Sequence, residues 1–475
     1  MKKVKMLLIT CAFLVSVTSC FEDLDDNIVL NSTLEINDFV WKGMNAVYLY
    51  KSDIPNLADN RFSSNEEYTD YLNGFEAPEP LFESLKYLPE TVDRFSRIYD
   101  NYFDLQNAQQ GTSLSNGLEF NLYFVPGSDT QVYGAITLVL NNSVADTEGL
   151  VRGQIFRGVN GTELTEANFV DLLSQDAYTL NFADYDTNGT PDRSDDTVTI
   201  NGENAMLTKA TYTENPVHRT EVLTVGTTKI GYLMYNGFNA NFNSQLNTAF
   251  AELKAANVTE LVIDLRYNGG GAVQTAAYMG SMVTGQFNGS VYSKLFYNET
   301  LEANNTNFLF TNTIEGVGAI NSLNLSKVYV LTTNRRTASA SELVINSLKP
   351  YIDVVVIGEN TVGKTQASIT IYDSENLQFE NVNPAHTYAM QPLIANSANV
   401  NNELVPANGL TPDVQLTEVS FNLGILGDVD EPLLAAAIAE ITGLGRSPVF
   451  QTGESVQPIG INKSSHPLDE ELYID

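Results

Sequence analysis

Residues 327–366 read KVYVLTTNRRTASASELVINSLKPYIDVVVIGENTVGKTQ, and fold and chemistry both turn on this run. VYVLTT is β-branched and aromatic, which predicts a buried strand. After the polar break Asn334-Arg335-Arg336, residues Ala338, Ala340, Leu343, Val344 and Leu348 supply the apolar face of a helix. VVVIG predicts a further strand, followed by a glycine-containing turn that ends at Lys364. Ser339 therefore stands where a helix begins, and the N–H groups of a first turn lack intrahelical acceptors and can hold an anion. A serine there can attack beside an oxyanion site if a base takes its proton, and a lysine is such a base only where burial keeps it neutral. Ser339 and Lys364 are the candidate nucleophile and base. Ser339-Ala-Ser-Glu342 equally fits a capping box, in which serine and glutamate satisfy each other's backbone donors, so local sequence leaves both readings open.

Working outward, residues from Lys229 alternate between strand and helix: KIGYLMYN, FNSQLNTAFAELKAAN, ELVIDLR, then Gly269-Gly270-Gly271 leading into AVQTAAYMGSMV. Such alternation predicts an α/β sheet with its site at the carboxyl ends of the strands. Glycines in a row let backbone approach a substrate closely, or serve only strand-to-helix packing. Asp264 and Arg266 read as a salt-bridged pair closing a strand, and Glu359 likewise as structural.

TASASEL, the 25-residue step from Ser339 to Lys364, GENTVGK and Asp264-Leu-Arg266-Tyr-Asn268-Gly269-Gly270-Gly271 together resemble the C-terminal processing (tail-specific) serine peptidases. The resemblance implies an α/β multidomain chain: a helical N-terminal domain (35–100), a PDZ-like β-rich domain (105–215) and an α/β, ClpP/crotonase-like catalytic domain (220–445). It further implies a Ser339–Lys364 dyad, an oxyanion hole from the Gly270 and Ala340 N–H groups, and Ser341 as a supporting helix residue. Asn408-Gly409-Leu-Thr-Pro412-Asp413 is similar to the family loop that flanks the site. The family's third member is a glutamine or an aspartate, where this chain has Ser368 and Pro350; Gln366 is the nearest substitute. Among the histidines His218, His386 and His466, only His386 falls in the catalytic region as a rival base, and so few make a zinc enzyme improbable.

Residues 35–100 predict helices, with Val40, Met44, Val47 and Tyr48 on one face. The short strands of 105–215 include a loop at Gly117-Leu118-Glu119-Phe120 that matches the PDZ carboxylate loop. Gly117, Leu118 and Phe120 are thus the expected peptide-binding residues, although Glu119 puts negative charge where a carboxylate would dock. Asp184, Asp186, Asn188, Asp192 and Asp195, with Gly189, have EF-hand spacing and make calcium an optional ligand, but acidic Asn-Gly stretches are also common hairpin tips. No other cofactor is expected.

MKKVKMLLITCAFLVSVTSC (1–20) reads as a secretory signal ending in a lipobox-like Val17-Thr18-Ser19-Cys20, with lipid expected on Cys20. The expected location is the envelope of a Gram-negative bacterium, anchored by lipid, at the outer membrane. Cys11 leaves with the signal, so no disulfide or thiolate site is expected. The formal charge of −33 argues against nucleic acid and anionic lipid as partners. Residues 446–475 are polar and acidic and read as a flexible tail. The function expected is an endopeptidase cleaving exported or unfolded proteins near their C-termini; the alternative is a non-catalytic surface lipoprotein that binds peptide or polymer on the same fold.

Overall fold

A computed structural model describes residues 33–443, 459–461 and 472–473. The expected signal, Cys20 and His466 lie outside the described residues.

The central sheet has six strands in the order Val217–Val225, Thr228–Tyr235, Glu260–Asp264, Lys327–Thr332, Asp353–Gly358 and Val414–Gln415. The first pair is an antiparallel hairpin and all later pairs are parallel. Alternation along these strands sends side chains to two cores. Leu233, Ile263, Val328, Val330 and Val356 face the helices Asn243–Ala255, Val273–Thr284 and Ala340–Leu348. Tyr232, Met234, Val262, Leu331 and Ile357 face Leu433, Leu434 and Ala437 of the helix Pro432–Thr442. A parallel sheet covered on both faces leaves the carboxyl ends of its strands as the open edge, and the glycine run and Ser339 both emerge there.

Residues Leu118–Phe124, Val132–Val139, Ile155–Val159, Ala177–Asp186 and Thr197–Thr208 form the middle, antiparallel sheet, with a short helix at Val144–Thr147. Leu118 and Phe120 are buried in its core, and Gly117 has φ of 76° where a Cβ would meet Ser143 at 2.1 Å. Residues 184–195, which have EF-hand spacing, form a loop between two paired strands. Strands flank the acidic loop, and its carboxylates accept from protein donors: Asp184 from Asn201, Asp186 from the Asn188 N–H, Asp192 from Ser194 and Asp195 from Thr190. No cluster of acidic, histidine or cysteine side chains suited to a metal occurs among the described residues.

The N-terminal helices Thr33–Val47, Asn65–Asn73 and Pro78–Ser84 form as expected, but not as a separate body. Their core includes Ile371, Met390 and Leu393, and Arg97–Tyr99 pairs with Ala389–Gln391. Three short helices bury too little by themselves and borrow a sheet from the catalytic region. The flexible-tail reading is likewise corrected for its described residues: Gly460–Ile461 pairs with the middle sheet, and Leu472–Tyr473 with a second six-stranded sheet beside the glycine run. Composition shows polarity but not the unpaired sheet edges that recruit such residues. No helix among the described residues is long and apolar enough to cross a membrane.

Candidate active site

Ser339 occupies an unusual backbone conformation, φ 61° and ψ −114°. The Ser341 N–H reaches the Ala338 carbonyl at 3.0 Å across it. This is a tight turn of the type that normally places glycine at its first central position. An ordinary N-cap is extended instead. Glu342 stands at the N3 position of a capping box and accepts the Ser339 N–H at 2.8 Å. The Ser339 hydroxyl, however, is buried with no hydrogen-bond partner among the described residues. The box is therefore functional on its glutamate side, while the hydroxyl remains uncommitted.

Glu342 does more than cap. Its Oε2 also accepts the Lys364 N–H at 2.9 Å, and its Oε1 accepts the Gly363 N–H at 2.7 Å and the Thr361 hydroxyl. One carboxylate oxygen thus binds the backbone of both candidate residues, whose nitrogens are no farther apart than those two bonds laid end to end. Burial pushes the Glu342 carboxyl up, while these four donors oppose the shift by favouring the charged form. The Ser-x-x-Glu spacing was the signal for this residue, but its reach to the lysine turn was not legible in it.

The lysine turn is held from outside as well. Gly363 and Gly409 have positive φ and are packed so closely that a Cβ on Gly409 would meet the Thr361 carbonyl at 1.8 Å. The Leu410 N–H donates to Thr361 Oγ1 at 2.7 Å, so the Asn408–Asp413 loop flanks the turn as expected. Arg94 donates to the Gly363 and Ala407 carbonyls at 3.3 and 3.2 Å. Lys364 is buried, its Nζ 5.1 Å from the centre of the Phe95 ring. Gln366 donates to Tyr50 Oη at 3.0 Å, which fastens the lysine strand to the N-terminal helices.

Asn268 sets the glycine run against the serine helix. Its side chain donates to the Tyr235 carbonyl at 2.7 Å and accepts the Gly270 N–H at 2.9 Å. Its own carbonyl accepts from Ser341 Oγ at 3.0 Å and from the Ala338 N–H at 3.3 Å. The Gly270 N–H therefore points to Asn268 in this structure, whereas Ala340 opens the helix with a first-turn N–H. Gly270 and Gly271 have φ of 119° and 130°, and a Cβ on Gly271 would meet the Phe238 carbonyl at 2.3 Å. The cleft in front is lined by Gly270, Gly271, Phe238, Tyr267, Arg336 and Glu119.

Glu119 pairs with Arg336, so the charge that looked misplaced in a carboxylate loop ties the middle sheet to the turn before Ser339. Asp264 pairs with Arg266 at 2.8 Å, as read from sequence, and the pair belongs to a larger buried network. Arg266 also meets Glu431 at 2.6 Å and Glu418 at 2.9 Å, and Glu418 in turn pairs with Arg152 of the middle domain. Glu359 lies on this structural side, its carboxyl raised by burial. His386 is excluded as base because both ring nitrogens are engaged, Nε2 with Asp373 at 3.0 Å and Nδ1 with the Tyr388 N–H at 3.1 Å. Burial lowers His218 to about 4.

Residues 229–415 match the model of Peptidase family S41, and residues 35–97 match that of the Peptidase S41 N-terminal domain. The chain is 29% identical over 173 residues to a chloroplastic C-terminal processing peptidase of Tetradesmus obliquus, 34% of each protein. It is 24% identical over 290 residues to a carboxyl-terminal-processing protease of Picosynechococcus, covering 61% of this chain and 63% of that one. The chain thus spans about a third of the length of the chloroplast relatives and under two thirds of the cyanobacterial one. A crystal structure described as an S41 protease from Bacteroides fragilis shares 28% identity and a TM-score of 0.67, covering 86% of this chain and 98% of that one. With both S41 models matched and a multidomain α/β fold that superposes on this structure, the chain belongs to peptidase family S41.

Proposed function

We propose that the chain is a serine endopeptidase of the C-terminal processing type, acting on exported or unfolded proteins. The observation that supports this most is the single Glu342 oxygen bridging the backbones of Ser339 and Lys364 beside an uncommitted, buried serine hydroxyl. Ser339 Oγ attacks the scissile carbonyl while neutral Lys364 takes its proton. The carbonyl oxygen becomes an oxyanion facing the Ala340 N–H and the Gly270 N–H, the latter exchanging Asn268 for it. Collapse breaks the C–N bond, and Lys364 returns the proton to the leaving amine. Water, deprotonated by the same lysine, then attacks the acyl carbonyl; the ester C–Oγ bond breaks and the lysine gives that proton to Ser339 Oγ. Gln366 fixes the lysine strand and acts as positioning residue. The reading includes export and lipid attachment at Cys20, so Cys20→Ala should release the protein from the outer membrane fraction.

Casein cleavage by the wild type beside Ser339→Ala and Lys364→Ala tests the mechanism. Loss in both variants with unchanged circular dichroism is the expected result; equal cleavage by all three would remove the assignment. The second reading is a non-catalytic peptide-binding protein on the same fold. Absence of cleavage by the wild type, with peptide still bound, would select it.

A further inference from the structure

The second sheet runs in the order Gly271–Ala272, Leu472–Tyr473, Gln366–Ser368, Leu393–Ala398, Val291–Tyr297 and Thr306–Leu309. The glycine strand and the lysine strand are thus neighbours only through Leu472–Tyr473 among the described residues. That insert is parallel to both: Leu472 is opposite Gly271, and Tyr473 is opposite Ala272 on one side and Ser368 on the other. Taken out, it leaves a slot one strand wide, walled by the backbone that bears Gly270 on one side and the backbone that follows Lys364 on the other. Backbone N–H and C=O groups along such walls bind any extended chain, and side-chain pockets between them decide which.

The pocket here is filled by an aromatic ring. Tyr473 is 7% exposed and packs with Tyr99, Leu105, Ala108 and Ala272. Its hydroxyl lies 3.5 Å from the Phe238 carbonyl, and it borders the same cleft as Gly270 and Gly271. The same segment of chain also occupies the middle sheet. Gly460–Ile461 adds antiparallel to Asn121–Leu122, on the strand that leaves the Gly117 loop, and the Ile459 N–H donates to the Leu122 carbonyl at 2.9 Å.

We propose that residues 472–473 are an intramolecular occupant of the substrate slot, competing with extended peptides whose aromatic side chain enters the Tyr99–Leu105–Ala108–Ala272 pocket. This rests on the peptidase reading above, and the test separates the two. The probe is a fluorescein-labelled peptide of residues 470–475, Glu-Glu-Leu-Tyr-Ile-Asp. Its binding is read by anisotropy in the Ser339→Ala background, so that no turnover is needed. Ser339→Ala with Tyr473→Ala, or with residues 471–475 removed, should bind the peptide at least about tenfold more tightly than Ser339→Ala alone. The same peptide with alanine for tyrosine should lose that binding. With Ser339 intact, either change to the segment should lower KM for casein with kcat little altered. Folded variants that bind the peptide no better than their parent would overturn the proposal. If Ser339→Ala cleaved casein like the wild type, the mechanism would fall while the binding result still decided the occupancy.

Discussion

Ser339 holds a backbone conformation that its own Cβ resists, at a cost of about 1–3 kcal/mol. Ser339→Gly should therefore be more stable to denaturant than Ser339→Ala, by about 1 kcal/mol, although both lack the proposed nucleophile. Equal stability of the two would mean that the turn is unstrained. Glu342→Gln keeps the volume but turns an amide NH₂ toward a set of donors, the N–H groups of Ser339, Gly363 and Lys364 and the Thr361 hydroxyl. Stability should fall by about 1–3 kcal/mol. Its kcat should fall far more than its KM changes, because the residue touches no substrate; a purely KM effect in steady-state kinetics would contradict this role.

At the scale of elements, the lysine turn is not built by its own sequence alone. Gly409 presses on the Thr361 carbonyl with φ of 81°, leaving no room for a Cβ. Gly409→Ala must move the loop or the turn, and a loss of about 1.4 kcal/mol in transition-state binding is a tenfold loss in rate. At least about a tenfold drop in kcat/KM is expected; an unchanged value would show that the loop does not position Lys364. The helix starting at Ala340 was legible from VYVLTT, the polar break and the apolar face, since each follows from local periodicity. Ser341 was legible only through resemblance, and its contact with the Asn268 carbonyl depends on a glycine run 70 residues earlier packing beside the helix.

Across the whole molecule, buried charge joins the domains. Arg152 of the middle domain and Arg266 share Glu418, with Glu431 and Asp264 completing the group. Burial alone would raise the Glu418 carboxyl, but Arg152 and Arg266 outweigh it and hold it at about 2, below its ordinary 4.5. The folded-state value is depressed, so the stabilisation from Glu418 is complete above about pH 4.5 and is lost as pH falls toward about 2. Arg152→Met leaves a buried carboxylate short of a partner and should cost about 3–5 kcal/mol at neutral pH. The deficit should shrink near pH 3 in urea unfolding; the same deficit at both pH values would show that Glu418 does not titrate with folding.

The amino-acid sequence by itself determined the α/β alternation, the strand-to-helix placement of Ser339, the Asp264–Arg266 pair and the glycine positions, because each is encoded within a few neighbouring residues. Only the tertiary structure decided the rest. It turned a capping glutamate into the bridge between Ser339 and Lys364, and a misplaced Glu119 into a partner of Arg336. It drew Leu472–Tyr473 from an acidic stretch into a sheet, and it set the acidic 184–195 loop between two antiparallel strands. In each case the deciding partner lies far along the chain, and the energy of a buried charge or an unpaired sheet edge depends on what the fold brings to it, which no local pattern states.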